Sequence, residues 1–216
     1  MNWYKAATGT TVPITPERFG AMTFQQKVKL ANTSASSLTQ ALFLTEEYEK
    51  KSVVLRALAW SENIHPEVQR LFFTEEYGGK DYILSWLADN RSIHSATQRL
   101  FFKHEYVGNH WVFVFLARNE SIIPEVQLLF FAGEYKRKSE ALYNLAWNRS
   151  ITPEVQRLFF TELYGGKANT LSHLVDNPMF LRDFTLEELL LIRNVVRGAA
   201  KLHVLSKRLK QIAGAQ

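Results

Sequence analysis

Apolar and polar positions along the chain recur every 29 residues. Gln40, Gln69, Gln98, Gln127 and Gln156 form one series. Tyr48, Tyr77, Tyr106, Tyr135 and Tyr164 form a second, and Leu58, Leu87, Leu116, Leu145 and Leu174 a third. No insertion interrupts any of them. Within each unit the pattern predicts two helices. The first opens at Pro66, Pro124 or Pro153, because proline fits the first helical turn, where its missing N–H would be unpaired anyway. Glu follows at once, favourable beside the positive end of the helix dipole. Val68, Leu71 and Phe72 then fall at helical spacing, widened by Phe73 and Tyr77. Gly78-Gly79 and Gly165-Gly166 are read as the left-handed stop of this helix. A shorter second helix runs from about residue 80 to residue 90 on Leu84, Leu87 and Ala88. The Asn at its end, in Asn90, Asn119, Asn148 and Asn177, suits a stop or turn.

Neither helix can bury its apolar face alone, whereas stacked identical units can bury both. The junction Leu145-Ala146-Trp147-Asn148-Arg149-Ser150-Ile151-Thr152-Pro153-Glu154-Val155 resembles that of leucine-rich-repeat-variant and HEAT-like repeats. Those carry a Leu-Ala-x-Asn-Pro-x-x-Pro-x-x-Val pattern. Here Arg or Glu stands where Pro usually follows Asn, and the unit is longer. The expected fold is all-α: a right-handed α-solenoid of five two-helix repeats. Residues 1–36 would form an N-terminal segment and half-repeat, 37–178 the repeats, and 179–216 a basic capping helix. Leu30-Ala31-Asn32 echoes a second-helix ending, and Thr185-Leu186-Glu187-Glu188 is a capping box that opens the terminal helix.

On the second helix the columns at 55, 58 and 59 are constant and apolar, and at about 100° per residue they form one side. The opposite side, at 53, 57 and 60 and their equivalents, varies from unit to unit. It carries Trp60, Tyr82, Trp86, Trp111, Phe115 and Trp147 together with Asp89, Arg118 and His173. A helix side that points away from its own core should be polar, and contiguous exposed aromatic surface marks an interaction site. In HEAT-like arrays the second helices line the concave surface, so the resemblance implies an aromatic groove there for a protein or peptide partner. Three readings stay open: a contact groove, aromatics covered by residues 1–22 or by the terminal helix, or second helices crowded by superhelical curvature so that Trp side chains pack on each other.

Composition and charge narrow the remaining chemistry. The 216 residues contain no Cys, which excludes disulfides, Cys-ligated zinc and thiol nucleophiles and fits a reducing, cytoplasmic setting. No apolar run reaches the roughly 20 residues of a membrane helix, and the N-terminus lacks the apolar core of a signal peptide. The net charge of +5 is terminal. The repeats, with 16 basic and 18 acidic residues between 37 and 183, are mildly acidic. Arg193, Arg197, Lys201, Lys207, Arg208 and Lys210 are read either as a solvated face of the cap or as a polyanion contact.

His65 and His94 are one unit apart. Helices about 8–10 Å apart cannot bring both rings to one ion at about 2.0–2.1 Å, so no metal is expected. No cofactor motif is present. One enzymatic alternative is similarity in length and composition to HEAT-like alkylpurine DNA glycosylases. In that reading aromatics stack on a base and Asp89, one turn from Trp86, faces the cationic sugar. The preferred reading is a non-enzymatic binding protein, with nucleic-acid binding as the alternative. The repeated Gln is expected to form a hydrogen-bonded ladder between units.

Overall fold

In a computed structural model of the chain, residues 13–34, 36–103, 111–162, 164–180 and 184–195 are described. Three of the five first helices start at a side chain that holds a free N–H group, and the other two, after His65 and Ile123, start at proline alone. Ser36 Oγ accepts from Thr39 N, and Thr152 Oγ1 from Val155 N. Proline occupies the first turn after His65, Ile123 and Thr152. These first helices are α3 (Ser37–Thr45), α5 (Pro66–Thr74), α7 (Ser95–Leu100), α9 (Pro124–Ala132) and α11 (Pro153–Thr161). Their second partners are α4 (Lys51–Trp60), α6 (Lys80–Asp89), α8 (Val112–Arg118), α10 (Lys138–Trp147) and α12 (Lys167–Asp176). Ahead of them lie α1 (Pro16–Gly20) and α2 (Phe24–Thr33), and behind them α13 (Leu186–Val195). Among the described residues there is no strand.

The glycines differ from expectation. The first helix ends at Thr74, four residues before Gly78, and Gly79 (φ +73) stands immediately before α6. Gly166 (φ +72) does the same before α12, and Lys50 and Arg137 take the same left-handed conformation at the equivalent positions. What closes the first helix is the lysine after the turn. Lys80 Nζ donates to Phe73 O and Glu75 O, both at 2.9 Å, and Lys167 Nζ to Phe160 O and Glu162 O at 2.8 and 2.7 Å. These are carbonyls that a helix end leaves unpaired, at the negative pole of its dipole. Tyr48, Tyr77, Tyr135 and Tyr164 lie over the same turn, each donating its hydroxyl to the carbonyl five residues earlier.

Helices pack on their equivalents. α2 lies against α4, α4 against α6, α6 against α8, α8 against α10 and α10 against α12; α3 lies against α5, α5 against α7 and α9 against α11. The seam is dry: Leu58, Leu87, Leu116, Leu145 and Leu174 are fully buried, as are Ala59, Ala88, Ala117 and Ala146.

Two polar ladders cross it. Gln98 Nε2 donates to Ile93 O of its own unit (3.4 Å) and to Ser121 O of the next (2.9 Å), and its Oε1 accepts from Ile123 N (2.9 Å). Gln69 and Gln127 repeat this set, and Gln40 does so with Ser34 O, six residues earlier, as its near acceptor. The second ladder runs backwards. Asn119 Nδ2 donates to Ala88 O and Asn90 O of the preceding unit, at 2.8 and 2.9 Å, while its Oδ1 accepts from Ser121 N. Asn90, Asn148 and Asn177 do likewise. The terminal capping box forms as predicted: Thr185 N donates to Glu188 Oε2 and Glu188 N to Thr185 Oγ1.

Candidate functional site

The first helices expose Glu67, Arg70 and Thr74. The second helices expose aromatics instead: Tyr143 at 37%, midway along α10, and Trp60 at 50%, Tyr82 at 56%, Trp111 at 49% and Trp147 at 44%. Trp60, Tyr82 and Trp147 sit at the first or last turn of their helices, and Trp111 immediately precedes α8. The middle column differs from expectation, since Ala57, Trp86, Phe115, Asn144 and His173 are half-buried. Ala57, Trp86 and Phe115 also pack on the core. A residue midway along a helix flanked by two others has neighbours on both sides, which the alternation of variable columns does not reveal. Trp86 is held edge-on by Trp60 (5.2 Å between ring centroids) and Tyr82 (5.9 Å), with the Arg56 guanidinium 5.9 Å away. Its buried Nε1–H meets no acceptor among the described residues.

Each aromatic group carries a cation or a polar partner. Arg118 lies 4.2 Å above the Phe115 ring and donates from Nε and Nη2 to the two Asp89 oxygens at 2.8 and 2.7 Å. These hydrogen bonds hold Arg118 further above its ordinary range, against the desolvation that acts the other way. Arg137 stacks 4.3 Å from Trp111 and bonds Glu140 at 2.6 Å. Trp147 Nε1–H donates to His173 Nδ1 at 2.6 Å, and Tyr143 meets the same imidazole edge-on at 4.3 Å. An indole N–H only donates, so the His173 proton is on Nε2 in this arrangement.

Two open cavities lie on this side. One, of about 490 Å³, is lined by Trp60, Glu62, Asp89, Asn90, Arg91, Arg118, Asn119 and Glu120. The other, of about 460 Å³, is lined by Trp111, Val114, Ser139, Glu140, Tyr143, Asn144, Gly166, Asn169 and Thr170. The structure thus brings Trp60, Tyr82, Trp86, Asp89 and Arg118 to one end of the face, Trp111 and Phe115 to its middle and Trp147 and His173 beyond. The junction residues Glu62, Arg91 and Glu120, and Tyr143, were not anticipated. The junction charges also step by 29, and that regularity was the available signal.

Of the basic candidates, Arg193 falls in α13 and its side chain is outside the description. Arg197, Lys201, Lys207, Arg208 and Lys210 lie outside the described residues. His65 and His94 stand at the N-terminal ends of α5 and α7. His65 Nδ1 is 3.9 Å from Glu67, and His94 Nδ1 accepts from Ala96 N. Among the described residues no three His, Cys, Asp or Glu side chains group as a metal site, and no helix is long and apolar enough to cross a membrane. The chain matches no protein family, no curated protein and no solved structure.

Proposed function

We propose that the chain is a non-enzymatic binding protein: a right-handed α-solenoid of five HEAT-like units, with a half-repeat from Thr23 and a cap at α13. It takes a protein or peptide partner along the face of its second helices. The observation that carries this reading is the asymmetry between the two rows. One exposes mostly Glu, Arg and Thr, with Leu38 as its one exposed large apolar side chain among the described residues, and the other exposes five large aromatics, with Arg118 and Arg137 on the same row. Aromatic residues with arginine are the usual composition of an energetic hot spot. The variation of this face from unit to unit fits a surface that reads a non-repeating ligand. The glycosylase alternative needs a carboxylate free to face a cationic sugar, and here Arg118 holds both Asp89 oxygens.

The test begins with peptides selected on the whole chain from a displayed library. Trp60→Ala and Trp111→Ala are expected to weaken a selected peptide by about 2 kcal/mol each, roughly 30-fold, with the melting temperature nearly unchanged because both rings are half exposed. Trp86→Ala serves as the contrast: its ring packs on the core, so its melting temperature falls. Peptides that bind the Trp60 and Trp111 variants as tightly as the wild type would refute the groove. Labelled DNA and RNA titrated at two ionic strengths test the alternative, since phosphate-driven binding weakens steeply with salt.

A further inference from the structure

The C-terminal residues of α4, α6, α8 and α10 are Trp60, Asp89, Arg118 and Trp147. Two positions on, in the junction loops, stand Glu62, Arg91, Glu120 and Arg149, all exposed. Together they form one edge of the row of second helices. The junction charges alternate in sign over four consecutive units. The alternation ends at uncharged residues on both sides, Thr33-Ser34 before it and Pro178 after it. Alternating charges could simply pair between adjacent units, as Asp89 and Arg118 do in the neighbouring column. They do not: among the described residues none of the four junction charges is in an ion pair. Four exposed, unpaired charges of alternating sign are a pattern that asks for a complement outside the unit.

An alternation of even length is its own complement when reversed. A two-fold axis midway between the second and third units sets Glu62 against Arg149 of a second copy, and Arg91 against Glu120. The same axis, with no further choice, brings Trp60 to Trp147 in the helix-end column, while Asp89 and Arg118 stay paired within each chain. On the helix face it brings Tyr82 to Trp111. Opposite charges and aromatic pairs therefore coincide about one centre. That centre falls in the cavity of about 490 Å³, whose lining holds the first three members of both edge columns. This gives a concave place for the partner's Trp147, which is 44% exposed, beside Trp60.

We propose that the partner of this edge is a second copy of the chain, docked antiparallel about that axis. The proposal rests on the reading that the ends of the second helices are a contact surface, and it names what they contact. A two-fold contact is isologous, so each pair occurs twice. Two like-charge clashes are therefore introduced by one reversal.

Sedimentation of the full chain over a concentration series tests it. A dimer is expected, loosened as salt screens the exposed pairs. Arg91→Glu sets Glu against Glu120 twice and is expected to raise the dissociation constant at least about tenfold. Adding Glu120→Arg to the same chain re-creates both pairs in swapped order and is expected to restore the dimer, which a merely destabilised fold would not do. Because the chain has no Cys, the register can be read covalently. A chain carrying Glu62→Cys is expected to cross-link to one carrying Arg149→Cys. It should not cross-link to itself, since the axis leaves those two positions three helix spacings apart, roughly 24–30 Å.

A monomer at every concentration in low salt overturns the proposal. So does a dimer that ignores Arg91→Glu, or one that cross-links through Glu62→Cys alone. A monomer that still loses its peptide on Trp111→Ala would refute the dimer and leave the groove standing. The reverse result would refute the groove and leave the dimer.

Discussion

Gln98 is buried to 1% and spends both ends of its amide on backbone, two of the three bonds reaching the next unit. Truncation to alanine leaves the Ser121 carbonyl and the Ile123 N–H without their partner in a dry seam. Gln98→Ala is expected to cost about 1–3 kcal/mol, seen as a lower denaturant midpoint with an unchanged slope. Gln156 is the control. It donates only to Met179 O, at 3.3 Å, and its buried Oε1 meets no donor among the described residues. Gln156→Ala is therefore expected to cost less than Gln98→Ala, and equal losses would mean the ladder bonds contribute little. The Gln ladder was legible in the sequence, because an amide repeated without exception inside an apolar stretch has to be buried and paired. The Asn ladder was not. An Asn at a helix end is fully accounted for by local turn chemistry, and nothing in its spacing says that its amide reaches back to the preceding unit. Trp86 failed for a related reason: variability across units marks freedom from the repeated core, but half-buried positions share it.

At the scale of the element, both helices of a unit were readable from proline, periodicity and caps, and the starts of the first helices recur at the 29-residue step. The turn between them was not. Gly79 and Gly166 supply a left-handed residue, which redirects the chain equally well at the end of one helix or the start of the next. Which it is depends on Lys80 and Lys167, whose side chains reach back five and seven residues to the last carbonyls of the first helix, a contact that helical periodicity does not encode.

The tyrosines of the same turn carry a pH prediction. Burial pushes the hydroxyls of Tyr48, Tyr135 and Tyr164 well above the ordinary phenol range, and Glu47 and Glu134 add to this at Tyr48 and Tyr135. A folded state that holds its protons more tightly than the unfolded one is stabilised fully below the unfolded value, about 10. It loses that stability as pH rises from there toward the folded value. Stability is thus expected to fall with alkali above about pH 10, and the slope should be shallower in Tyr135→Phe. That variant also loses the 3.1 Å bond to Phe130 O, so its stability at neutral pH should be lower by about 1 kcal/mol. An unchanged alkaline slope would place the titration elsewhere.

At the scale of the molecule, the units interact with their neighbours through one repeating set of apolar and amide contacts, so the array should tolerate loss of a whole unit. Deleting residues 124–152 joins Ile123 to Pro153, which then takes the place of Pro124, its equivalent one 29-residue step earlier. Gln156 then follows Asn119 as Gln127 did, and α12 takes the place of α10 against α8. A chain shortened by this 29-residue step is expected to keep its helical circular dichroism and one cooperative unfolding transition. Its denaturant slope should be lower by roughly a tenth to a sixth, in line with the surface removed. Deleting 26 residues from the same starting point, 124–149, provides the contrast. It takes away nearly the same mass but leaves three surplus junction residues, Ser150, Ile151 and Thr152, before Pro153. This pushes Gln156 and every later column off the positions that Gln98 and Asn119 address. That chain should unfold at lower denaturant than the 29-residue deletion, or lose cooperativity altogether. If the two deletions behave alike, the 29-residue period is a property of the sequence and not of the way the units stack.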